Sequence, residues 1–321
     1  MIRRWVQLWD EKEDPIALAC VRVLLCLVLL YDLGAVAWHG LPILLWAPAE
    51  LGGVHDVLSR APEKIPWLYR LFEPTTSIVW GLYYTVVASL ICFGAGLFTR
   101  FSGLVLLLSY AQMAIINDQA DRGIDRMLRI MILLLVCSDS GRALSVSAKW
   151  KTGRWFGDGT RVPSWPRYLM ILQLVVMYWC AGVEKFAVTW FPWGGYSALY
   201  YILQDPIFAV TDFSFLASPW LYPLTQLGTA GSHLWEWTCP VLLLAYYYRS
   251  TPSHPGRLRH FFLKWDVRLC YVLVGVTFHV LLASTLHLGI FPAAMLALYP
   301  AFFHPQEILG LMRKWRHTSE M

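Results

Sequence analysis

A small set of side chains in this 321-residue sequence could do chemistry. Glu184 and Lys185 close the stretch Cys180-Ala181-Gly182-Val183-Glu184-Lys185. An amine kept away from water gives up its proton more readily, so a pocketed Lys185 is a candidate general base or nucleophile. The competing account is a lysine that marks a span end at the membrane interface. Consecutive residues point about 100° apart on a helix, so at most one of the pair need face inward. His233 and Glu236 share a face at i, i+3, and His279 and His287 follow farther along. Imidazole and carboxylate suit zinc or iron. One His-x-x-Glu falls short of a ligand set, so histidines bonded across helices are favoured and no metal is expected. Asp118, Asp121, Arg122, Asp125, Arg126 and Arg129 crowd a short stretch, with Asp125 and Arg129 spaced i, i+4. They form either a solvated ion-pair network or a place where Arg126 or Arg129 meets an acidic partner or an anionic ligand. Arg22 lies inside an apolar run with Asp32 ten residues on; it either has a function there or snorkels to the headgroups. No phosphate loop, dinucleotide fingerprint, H-E-x-x-H or nucleophile elbow is present.

These ionisable groups stand out because of what surrounds them. Hydrophobic residues make up 57% of the chain and charged ones 15%, with a mean hydropathy of +0.50. So few charges cannot solvate a globular surface, and disorder, collagen and disulfide-scaffold classes fall with that composition. A charge at membrane depth costs roughly 2.5–3.5 kcal/mol at a helix centre, which makes each one a candidate site. The expected fold is all-α, a polytopic membrane helical bundle of about eight transmembrane helices. The most apolar stretches are near 16–38, 78–97, 101–117, 127–138, 168–186, 232–248, 269–287 and 289–303. Lys and Arg concentrate in alternate connections, such as Arg142 to Arg167 and Arg249 to Arg268, while no Lys or Arg occurs between Phe186 and Tyr248. That bias predicts both termini on the cytoplasmic side. Outer segments 39–77 and 187–231 are rich in Pro, Gly and aromatic residues and predict interfacial or re-entrant helices. The first span is expected to remain as an anchor rather than a cleaved signal. The seven cysteines, all in or beside apolar segments, read as small buried hydrophobes.

Four motifs then occur in order. Asp14-Pro15 followed by Ala19 to Arg22 resembles D-P-x-x-L-A-x-x-R, and Gly96-Leu97 with Arg100 and Ser102 resembles G-L-x-x-R-x-S. Ala181-Gly182-Val183-Glu184-Lys185, then Trp190 and Gly195-Tyr196-Ser197, resembles A-G-V-K-K with its following W and G-Y-S. Phe278-His279, with Gly289 and Phe291 downstream, resembles the F-H segment of a late helix. Together they are similar to the membrane domain of vitamin K-dependent γ-glutamyl carboxylase and its bacterial relatives, the horizontally transferred transmembrane (HTTM) domain family. The resemblance implies one such domain over residues 1–321 in a bacterial cytoplasmic membrane, without the large extracytoplasmic domain of the animal enzyme. It implies a lyase-like chemistry on a reduced quinone, vitamin K or menaquinol-like. A secreted peptide would be the substrate, modified at the outer face. Lys185, at the family's second lysine, is implied as the base, with His279 beside it in the catalytic set. Glu184, Arg22, Asp125, Arg126, His233 and Glu236 are supporting candidates. One departure is local: the family's N-N-H segment falls on Arg122-Gly123-Ile124, so Ile124 replaces its histidine. The alternative function is a non-catalytic scaffold that holds a secreted peptide or lipid in the outer, aromatic-rich segments.

Overall fold

A computed structural model describes residues 2–54, 56–58, 60–251 and 255–319. The fold is all-α apart from one two-residue antiparallel ladder, β1 (Lys12–Glu13) with β2 (Val162–Pro163). Among the described residues, five helices are long and apolar enough to cross a membrane: α1 (Ile16–Trp38), α2 (Thr76–Gly94), α3 (Thr99–Ile116), α5 (Trp165–Val183) and α8 (Val267–Thr285). Between them lie α4 (Gly123–Cys137), α6 (Tyr222–Trp237) and α7 (Val241–Ser250), and α9 (Phe291–Leu298) follows. This is a multi-pass membrane protein. At 1.5 Å per residue, the 23 residues of α1 exceed the ~30 Å of hydrocarbon.

The ends of these helices are set by local chemistry. Asp14 accepts the Ile16 N–H at 2.9 Å as α1 begins, and Thr75 accepts that of Ile78 at 3.3 Å for α2. Asp266 caps α8. At the start of α4, the Asp125 carboxylate turns back to accept the Arg122 backbone N–H at 2.9 Å. Gly96 ends the α2 turn at φ +75°, where an added Cβ would lie 2.1 Å from that of Ser145. The 232–248 stretch, expected as one span, is divided: α6 starts ten residues earlier, and the chain breaks at Thr238–Pro240 before α7. Pro240 has no N–H to continue the ladder. The candidate near 127–138 becomes the 15-residue α4. The one near 289–303 is the short apolar helix Phe291–Phe302, whose end is 3-10.

The chain forms two compact units, and it passes from one to the other within α5. One is Asp10–Arg167 with Phe303–Met321, in which α1 to α4 pack around Leu25, Leu29, Phe93, Leu106, Leu128 and Met131. Arg22 does not snorkel. It is fully buried, and its guanidinium donates to the carbonyls of Ser140 and Leu144, tying α1 to the turn after α4. Buried Arg167 donates to both oxygens of Glu13 at 2.7–3.0 Å, which secures the ladder. The other unit is Met1–Trp9 with Tyr168–Phe302, centred on Met170, Leu174, Val175, Met295 and Leu298.

Candidate functional site

α6 turns one face toward the chain that follows α5. Gln226, Thr229, His233 and Glu236 recur every three or four residues, the spacing of a single helical stripe. Each finds a partner between Gly182 and Leu199. Gln226 donates to the Gly195 carbonyl at 2.7 Å, and Thr229 accepts the Leu199 N–H at 3.0 Å. The two ring nitrogens of His233 lie 3.2 Å from the Gly182 carbonyl and 3.3 Å from that of Trp190. Glu236 forms an ion pair with Lys185.

Lys185 sits just past the end of α5, where Glu184 N–H still reaches the Cys180 carbonyl at 2.9 Å. Gly182 makes this possible. Its Cβ, if present, would stand 2.9 Å from both Glu236 Cβ and Trp237 Cδ1, so only glycine lets α5 come this near to α6. Trp237 Nε1 also donates to the Gly182 carbonyl at 2.9 Å. The Glu236 side chain is 5% exposed and that of Lys185 21%, so the lysine is the more exposed partner of the ion pair. Lys185 Nζ lies 4.4 Å from the centre of the Trp190 ring, a cation–π contact. The rings of Phe191 and Trp193 stack on each other, 4.7 Å apart and within 4° of parallel, and Phe191 lies 5.2 Å from the His233 ring. Glu184 faces outward and is exposed.

A second cluster in the same unit surrounds His279 of α8, which is fully buried. His279 Nε2 is 2.6 Å from the Tyr178 hydroxyl, and that hydroxyl is 3.0 Å from the one on Tyr299. His279 Nδ1 is buried with no hydrogen-bond partner among the described residues. Gly275, one turn earlier, leaves room for Tyr299, whose oxygen would be 2.2 Å from an added Cβ.

The charged stretch belongs to the other unit and makes pairs different from those its spacing suggested. Asp125 bonds Arg122 at 2.8 Å and the Tyr110 hydroxyl at 2.7 Å, rather than Arg129. Arg122 also reaches Asp32, at 2.5 Å. Arg129 donates twice to Asp121, at 2.7 and 2.8 Å, and the mostly exposed Arg126 joins it at 3.2 Å. All of these except Arg126 line a cavity of about 140 Å³. Burial alone raises the Asp121 carboxyl, but the bonds from Arg129 and Arg126 outweigh it and hold that carboxyl below its usual range. Ile124 is buried in the first turn of α4.

His233 and Glu236 share a face as their spacing suggested, yet they serve different partners. Among the described residues, no three or more His, Cys, Asp or Glu are grouped to hold a metal ion. Sequence reasoning placed Glu184 behind Lys185 and missed that Glu236 occupies that place. It also missed Tyr178 and Tyr299, because in a chain with 16 tyrosines neither has a distinguishing pattern. The profile of the HTTM domain matches residues 11–251. No curated protein and no solved structure matches the chain.

Proposed function

We propose, from the premise that this chain belongs to the HTTM-domain family, that it is a membrane enzyme in which Lys185 acts as general base on a reduced quinone. On this reading it is a vitamin K carboxylase-like member of that family. The observation that carries the reading is the Lys185 amine, held between the Glu236 carboxylate and the Trp190 face on a side chain that is still partly exposed. The donor set fits a quinol: an amine to take a hydroxyl proton, and flat aromatic faces at Trp190, Phe191 and Trp193 to receive a ring. When bound, a reduced quinone supplies two electrons and a weakly acidic hydroxyl. In the resting ion pair Nζ carries its proton; passing that proton to the Glu236 carboxylate leaves a neutral amine, which then takes the hydroxyl proton and becomes the ammonium again. His233 fixes the carbonyls of Gly182 and Trp190, and so sets the distance between the base and its aromatic wall. His279, buried against Tyr178, is the second catalytic candidate. In this reading a secreted peptide is modified at the outer face of a bacterial cytoplasmic membrane, with both termini inside.

The test is quinol oxidation by the purified protein in lipid nanodiscs supplied with reduced naphthoquinone and oxygen. Lys185→Ala is expected to slow it by about 10²–10⁴-fold, while Glu184→Gln leaves it nearly unchanged. A Lys185→Ala protein with the full rate overturns the assignment. One observation favours a non-catalytic scaffold: Ile124 fills a core position where the resemblance would put a histidine. Peptide binding without any quinol oxidation would establish that second role.

A further inference from the structure

A cleft of about 620 Å³ opens between the turn joining α2 to α3 and the segment 139–158 of the same unit. Its walls include Phe98, Arg100, Phe101, Arg142, Trp150 and Lys151. We propose that this cleft holds the phosphate headgroup of an anionic phospholipid, with the flanking rings set among the adjoining lipid.

Depth is the first argument. α2 and α3 are both long and apolar enough to cross a membrane, so the short turn between Gly94 and Thr99 lies at a membrane surface. Phe98, Phe101 and Trp150 are each at least 70% exposed around the cleft. Rings this exposed are unfavourable in water and favourable in the headgroup zone. Phe98 is held there in a left-handed conformation, φ +45°, with its N–H donated to Ser147 Oγ at 3.3 Å. A phenylalanine seldom adopts that backbone. Here it turns the ring outward as α3 begins.

Charge is the second argument. Arg100 and Arg142 share a single carboxylate, Asp139, at 2.8 and 3.2 Å, so one guanidinium charge is left over. Lys151 makes no ion pair or hydrogen bond among the described residues. Asp158 also lines the cleft and its carboxylate interacts with Arg142, so the three cations Arg100, Arg142 and Lys151 face two carboxylates and the cleft keeps one net positive charge. Lys149 and Arg154 belong to the same basic stretch of sequence. Guanidinium forks pair with phosphate oxygens two at a time, and a basic segment at the membrane surface attracts anionic lipid. A free phosphate would use the cations and leave the three rings without a role. A phospholipid uses both.

The experiment is native mass spectrometry of the full chain released from detergent micelles, with phosphatidylglycerol or phosphatidylcholine added at equal concentration. Phosphatidylglycerol should be retained preferentially. Arg100→Gln and Lys151→Gln should each weaken that retention about fivefold. Both side chains lie at the surface, and an unchanged melting temperature shows that the fold is kept. Lys151→Gln stands alone as the second variant should Arg100→Gln not fold. Arg70→Gln, away from the cleft, should retain the lipid as the parent does. Equal retention of the two lipids overturns the proposal, as does full retention by the Arg100→Gln/Lys151→Gln double variant. Displacement of phosphatidylglycerol by inorganic phosphate at matched ionic strength also overturns it, because the site would then be one for the free anion.

Discussion

Lys185 and Glu236 are 51 positions apart and work as one unit, so their substitutions should not add. In the quinol assay, Glu236→Gln alone should slow the reaction, and adding Lys185→Ala should leave the rate close to that of Lys185→Ala alone. Multiplying losses would mean that the two side chains act separately. Asp121 yields a prediction on pH. Its carboxyl is depressed in the folded protein, because the bonds from Arg129 and Arg126 exceed the opposing effect of burial. Such a group lends stability that is complete above its unfolded pKa, about 3.9, and is lost as pH falls through the lower folded value. Asp121→Asn should therefore lower the melting temperature in detergent at pH 7 and flatten the decline below about pH 4. An unchanged acid profile would show that the bonds to Asp121 contribute nothing. The buried Glu13 was not legible in the sequence, whereas Arg22, Lys185, Glu236 and the charges at 118–129 were legible singly, since charge inside or beside an apolar run is conspicuous. Their pairings were not. Glu184 is next to Lys185 in sequence but points away, and the true partner comes from a helix whose approach depends on packing at Gly182.

The helices are held together by two devices that substitutions can probe. Gly182→Ala would push a methyl group to 2.9 Å from Glu236 Cβ and Trp237 Cδ1. Overpacking of this kind costs about 1–3 kcal/mol, so the melting temperature should drop and quinol oxidation should fall with it. Normal values for both would show that α5 and α6 can separate freely. Glu13→Gln would leave the buried Arg167 guanidinium without its carboxylate, a loss of about 3–5 kcal/mol, read from thermal or denaturant unfolding. The apolar core of each span was legible because hydropathy sums over many residues and tolerates local error. Breaks within an apolar run are different. Leu and Trp precede Pro240 and Val and Leu follow it, so composition hides the division between α6 and α7, although Pro240 itself marks it. The pairing at the start of α4 was likewise hidden, because Asp125 turns back to the backbone N–H and guanidinium of Arg122 instead of forward to Arg129 at i, i+4.

Membrane residence is a property of the whole chain and was evident from composition, whereas the division into two compact units left no trace in the hydropathy pattern. The HTTM-domain profile, over residues 11–251, includes Lys185, His233 and Glu236, while His279 lies outside it. The account therefore depends most on Lys185. The direct measurement is to purify the parent protein and Lys185→Ala in mild detergent, extract both, and quantify quinones by mass spectrometry. The account predicts a stoichiometric naphthoquinone with the parent and a clearly smaller amount with the variant. Equal amounts in both, or none in either, would contradict it.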